Sequence, residues 1–153
     1  MLDCLTSEAA GAVAIVAVDK SSLPGWLDAN PQCRDWLAAV GFRAEQATHA
    51  FVPASGGEQA IVLASPAEGE AVWSFAGLAG ALPEGRYRLQ RHTPASATDI
   101  ALGGALDAYR FTAYKAAGRA PATLVWPEAA DRAKVERLAR AMTLARDMIN
   151  TPA

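Results

Sequence analysis

The chain has 153 residues, 52% hydrophobic and 20% charged, which is enough apolar material for one domain with a substantial core. A formal net charge of -2 and a pI near 5.6 provide no broad basic surface, which argues against nucleic acid or an anionic membrane as a partner. Asp3 and Glu8 stand where a secretory signal would be positive, and the longest apolar run, residues 9–18, is far short of a spanning helix. A soluble, cytoplasmic protein is expected.

Residues 11–18 (G-A-V-A-I-V-A-V) form a continuous, β-branched run ended by Asp19-Lys20-Ser21-Ser22, the pattern of a central strand buried on both faces. Asn30 as N-cap and Pro31 in the first turn open a helix carrying Trp36, Leu37 and Val40 on one face, with Gly41 just past its end. Two strands follow, over residues 47–53 and 59–65. The stretch between them contains Ser55-Gly56-Gly57, whose glycines suit a hairpin turn, so the pair is expected to be antiparallel. From Glu70, the spacing of Val72, Phe75, Leu78 and Leu82 predicts a helix that ends at Pro83-Glu84-Gly85.

Residues 86–91 (R-Y-R-L-Q-R) alternate and read as a half-exposed strand. Ser96 caps a long helix bearing Ile100, Leu102, Leu106, Tyr109, Phe111 and Tyr114, with Asp99 in the reciprocal capping position. Gly103-Gly104 inside that helix costs about 1 kcal/mol per glycine relative to alanine, a cost that makes sense if a neighbouring element packs closely there. Residues 122–126 form another short strand. The last helix spans residues 128–149, with Val135, Leu138, Met142, Ala145 and Ile149 as its buried stripe. Strands alternating with helices, plus one hairpin, predict an α/β sandwich with a mixed sheet flanked by helices.

Side chains that could carry chemistry are sparse. His49 and His92 lie in separate segments without metal-ligand spacing near either, and both read as ordinary histidines. No G-x-S-x-G elbow occurs, and Cys4 and Cys33 read as two reduced thiols, one bridge between them being the alternative. Ser55-Gly56-Gly57 joins two strands instead of opening a helix, so it reads as a turn before it reads as a phosphate loop. Trp26, Trp36, Trp73, Trp126, Tyr109, Phe111 and Tyr114 suit a core or an interface. Arg110 and Lys115 read as a solvated basic edge, the alternative being pairing with a partner domain's carboxylates. Arg132, Lys134, Arg137, Arg140 and Arg146 alternate with Glu128, Asp131, Glu136 and Asp147, which is an exposed helix face and not a nucleic-acid patch.

Three stretches carry a resemblance: F-A-G-L-A-G-A-L-P-E-G-R-Y-R-L over residues 75–89, A-L-G-G-A-L-D-A-Y-R-F-T-A-Y-K over 101–115, and L-A-R-D-M-I-N-T-P-A over 144–153. Together, in this order, they resemble the N-terminal domain of the leucyl aminopeptidases (cytosol aminopeptidases) of bacterial type. The last stretch is similar to the passage from that domain into the catalytic one, so the chain is expected to be cut at a domain boundary. The division expected is a domain over residues 1–146 and the start of a linker over 147–153.

The resemblance implies a macro-domain-like fold and, for the parent protein, a peptidase using two divalent cations (zinc, manganese or magnesium) to activate a water. It also implies a missing C-terminal catalytic domain and a homo-oligomeric, hexameric parent. The family's metal motif N-T-D-A-E-G-R does not occur here, so no catalytic, cofactor-binding or metal-binding residue is assigned to this chain. The alternative is a free-standing macro-like module that binds a nucleotide or ADP-ribose. A weaker one is a small assembly protein that self-associates through its aromatic surface.

Overall fold

A computed structural model describes residues 2–54, 60–90, 96–112 and 119–151. Six strands form one sheet, β1 (Leu5–Thr6), β2 (Val13–Ala17), β3 (His49–Val52), β4 (Ile61–Ala64), β5 (Arg86–Gln90) and β6 (Thr123–Val125), in the order β1-β6-β5-β2-β4-β3. All neighbours are parallel except β3 and β4, which run antiparallel in the register His49↔Ala64 to Val52↔Ile61. The mixed sheet and the antiparallel pair are as the sequence predicts. The Ser55-Gly56-Gly57 turn lies outside the described residues, as do His92, Tyr114 and Lys115.

Strand β2 is apolar throughout because both of its faces are covered. Val16 and Val18 join Leu63 on one side, under helices α1 (Leu23–Ala29) and α2 (Arg34–Ala39), which contribute Leu23, Trp26 and Leu37. Ile15 joins Val62, Leu82 and Tyr87 on the other side, where the short helix α3 (Leu78–Ala81) packs. Helices α4 (Ala97–Asp107) and α5 (Arg132–Asn150) enclose a third cluster with Leu5 through Ala101, Ala105, Val135 and Ala139. Parallel strands are usually buried on both faces, yet β5 alternates, with Tyr87 buried and Arg88 exposed. The side chains beneath α1 and α2 come from β2, β3 and β4, and β5 contributes none to that cluster.

Several elements differ from their sequence reading. Asn30 does not cap the helix that follows it. Its side chain donates to the Trp26 carbonyl (2.8 Å), closing α1 instead, and a 3₁₀ turn (Pro31–Cys33) leads into α2. Helix α1 itself is hidden in the sequence by Pro24 and Gly25, although Pro24 sits in its first turn, where proline is tolerated. The helix expected from Glu70 is broken. A 3₁₀ turn (Ala71–Trp73) is separated from α3 by Gly77 at a φ of +83°, a conformation that interrupts the helical ladder. Helix α4 is capped by Ser96, whose hydroxyl accepts from the Asp99 N–H (3.1 Å), but it ends at Asp107, leaving Tyr109 and Phe111 beyond it.

Helix α5 starts later than expected, with Asp131 accepting from the Lys134 N–H (2.9 Å). Of its predicted stripe only Val135 is fully buried. Leu138 is 37% exposed and Ile149 81% exposed.

The loop after β2 stores a testable pH dependence. Asp19 Oδ1 accepts from the N–H and hydroxyl groups of both Ser21 and Ser22, just before α1. The Ser21 hydroxyl is the largest cause, followed by the Ser22 N–H, and together they hold the carboxyl down at about 2 from its ordinary 3.8. A folded-state pKa below the unfolded one gives stability that is present above about pH 3.8 and lost as pH falls towards 2. Thermal melts of Asp19→Ala are therefore expected to lie below those of the parent chain near neutral pH. The gap narrows as pH drops through that window. A gap independent of pH would contradict the assignment.

Candidate functional site

Among the described residues, no group of three or more His, Cys, Asp or Glu side chains could hold a metal ion. His49 is exposed on the edge strand β3, beside a shallow hollow of about 540 Å³ that also touches Arg43, Glu45 and Thr48. Cys4 and Cys33 are not bridged to each other, and burial pushes the Cys4 thiol up, away from the thiolate a nucleophile requires.

The apolar interior between the sheet, α3 and α4 contains a cavity of about 50 Å³, lined by Ile15, Phe75, Leu78, Tyr87, Leu89 and Leu124. That is well below the roughly 300 Å³ at which small-molecule pockets begin. Asp107 stands at its edge, with Oδ1 accepting from the Gly77 N–H (3.0 Å) and Oδ2 buried without a partner.

The basic residues serve the fold. Arg110 donates to the carbonyls of Asp107 (2.7 Å) and Tyr109 (2.8 Å), capping the end of α4. Arg119 does the same for α3 through the Gly80 and Leu82 carbonyls, a role that no local pattern in the sequence signals. Arg140 pairs with Glu136 one turn away on the exposed face of α5, as the mixed charges there predict.

The feature that departs most from an ordinary domain is the second half of α5. In an amphipathic surface helix the apolar side faces in. Here the inward contacts after Ala139 are polar. Arg146 donates to the Leu106 carbonyl (2.9 Å) and lies over the Tyr109 ring, while Asp147 accepts from the Tyr109 hydroxyl (2.7 Å). Desolvation, then the bond to Asp147, raises the Tyr109 phenol above its ordinary range. The apolar side chains face out, with exposure rising along the helix from Leu138 and Met142 to Leu144, Met148 and Ile149. Large apolar side chains exposed in this number near one helix end are uncommon on a monomeric domain.

The family model for the M17 aminopeptidase N-terminal domain matches residues 13–127. The chain belongs to that family. The match runs from β2 to just past β6, so it takes in the first two of the three resembling stretches, and it stops short of α5. This M17 N-terminal domain is similar in structure to the cytosol aminopeptidase from Coxiella burnetii. The TM-score is 0.86 at 31% identity, over 98% of this chain and 34% of that one.

It shares its fold with the bottromycin maturation enzyme BotP in complex with Mn, at TM-score 0.64 and 21% identity, over 94% of this chain and 32% of that one. A second structure of BotP gives a TM-score of 0.63 at 20% identity, over 93% and 33% of the two chains. No curated protein matches the sequence significantly. The M17 N-terminal domain described here thus spans about a third of the length of the cytosol aminopeptidase it resembles. Among its described residues no helix is long and apolar enough to cross a membrane.

Proposed function

We propose that this M17 N-terminal domain is the non-catalytic partner of a metal-dependent leucyl aminopeptidase domain that follows it in the parent protein. The observation that carries this reading is the inverted second half of α5, with polar side chains turned in and Leu144, Met148 and Ile149 turned out. Support comes also from the family match and from the similarity to a cytosol aminopeptidase about three times as long.

The division lies at residues 146/147, with 1–146 as the domain and 147–153 as the start of the connection; α5 crosses that point and continues to Asn150. The parent is a cytoplasmic homo-oligomer, a hexamer in the reading given by the resemblance. It hydrolyses the N-terminal residue from peptides with two divalent cations, zinc, manganese or magnesium. The described side chains of this chain do not fit such a centre, because no three candidate ligands converge. Its own part is to shape and support the neighbouring domain, and no step of the hydrolysis is assigned to it. The comparisons give no support to a free-standing nucleotide-binding module.

Purified alone and supplied with Zn²⁺, Mn²⁺ or Mg²⁺, the chain is expected to release no amine from a leucine amide above the protein-free blank. Activity that copurifies with the chain would overturn the reading. Met148→Lys with Ile149→Lys is expected to leave the melting temperature of the isolated chain nearly unchanged, since exposed substitutions stay within about 0.5 kcal/mol. In a chain extended through the catalytic domain, the same pair should lower stability and activity together.

A further inference from the structure

Val135 and Ala139 are the only fully buried residues described in α5, and both lie in its first half. Burial therefore anchors the start of the helix and leaves its end to be fixed by other means. That end converges on one side chain. Tyr109, two residues beyond α4, donates its hydroxyl to Asp147 Oδ1 (2.7 Å) and accepts from Asn150 Nδ2 (3.3 Å). Its ring carries the Arg146 guanidinium, 5.3 Å from the ring centre, and Arg146 also donates to the Leu106 carbonyl (2.9 Å). A hydroxyl bonded to a carboxylate is among the stronger neutral-to-charged contacts. Asp147 is otherwise misplaced, because a negative charge in the last turn of a helix opposes the macrodipole.

We propose that Tyr109 is a positioning residue: with Arg146, Asp147 and Asn150 it forms a latch that fixes the rotation of the last turns of α5. The latch thereby aims the apolar face of Leu144, Met148 and Ile149 away from the domain and sets the direction of the chain at Thr151. The inference rests on the reading that a catalytic domain covers that face. Without the latch the end of α5 frays while the core, built from other residues, stays intact.

The test is amide hydrogen exchange by NMR on the 153-residue chain near neutral pH. Tyr109→Phe keeps the ring under Arg146 and removes only the hydroxyl. It is expected to speed exchange about tenfold at residues 148–151, on the scale of one hydrogen bond to a charged group. Residues 135–139 should stay within about twofold, as expected for local opening. Asp147→Asn retains an acceptor oxygen and should preserve most of the protection. Asp147→Ala should match Tyr109→Phe, although removing the charge on its own would favour the helix end. The two changes combined should be no worse than either alone.

Unchanged exchange at residues 148–151 in Tyr109→Phe would overturn the latch, as would acceleration spread evenly over the domain or an additive double variant. These outcomes concern this chain alone. A failed latch therefore leaves the docking reading standing, and aminopeptidase activity in the isolated chain would defeat the docking reading without touching the latch.

Discussion

Gly103→Ala is expected to lower the stability of the domain substantially, while the same change at the adjacent Gly104 is neutral or mildly stabilising. A methyl group on Gly103 would sit far inside the van der Waals envelope of the Val72 carbonyl oxygen, which belongs to the backbone of a 3₁₀ turn and cannot swing aside. Either α4 must lift from that turn or the turn must shift, and overpacking of this kind costs about 1–3 kcal/mol, more when backbone has to move. The helix-propensity gain of alanine over glycine, about 1 kcal/mol, offsets part of it. The net loss should be on the order of 2 kcal/mol, or roughly 4–8 °C in melting temperature for a domain of this size.

At Gly104 the nearest atom is the Leu124 Cδ2, 3.4 Å away and at the end of a flexible side chain, so the propensity gain has little to oppose it. Melting curves of the two variants should move in opposite directions. If Gly103→Ala melts with the parent chain or above it, α4 does not pack on the 70–74 segment as described.

The second large effect is expected at Leu63. This side chain is completely buried in the middle of β4, facing the cluster of Val16, Leu37, Ala50 and Val52 beneath α1 and α2. Leu63→Ala removes apolar contact and leaves a void, which typically costs about 2–5 kcal/mol. Its urea midpoint should fall with little change in slope, because the surface exposed on unfolding is nearly the same. Ile149→Ala removes a side chain of the same size from α5, but at 81% exposure it should change stability by no more than about 0.5 kcal/mol and barely move the midpoint. Equal effects at the two positions would mean that the outer face of α5 is already covered in the isolated chain.

Residues 11–18 and the pair flanking 55–59 were legible as strands because their signals are local: β-branched runs bounded by turn residues. The cap at Ser96, the mixed charges of α5 and the close packing at Gly103 were legible for the same reason. What failed was periodicity standing alone. Val72, Phe75, Leu78 and Leu82 keep helical spacing across Gly77, yet the backbone there turns left-handed, and the Gly77 N–H is taken by Asp107, thirty residues away. Asn30 looked like the start of one helix and proved to be the end of another, since its side chain can serve either neighbour and only the backbone around it decides.

The same limit applied to α5. By sequence, Val135, Leu138, Met142, Ala145 and Ile149 are one stripe, and the spacing of an amphipathic helix predicts that all of it is buried. The sequence by itself determined the α/β class, the central strand and the likeness to leucyl aminopeptidases. Each of these depends on residue type and near-neighbour spacing. The tertiary structure decided which face of α5 meets the domain, where Tyr109 draws in Arg146, Asp147 and Asn150 from about forty residues away and leaves Met148 and Ile149 in the open. Hydrophobic periodicity shows that a helix has an apolar side, but what lies opposite that side depends on contacts between segments distant in the chain.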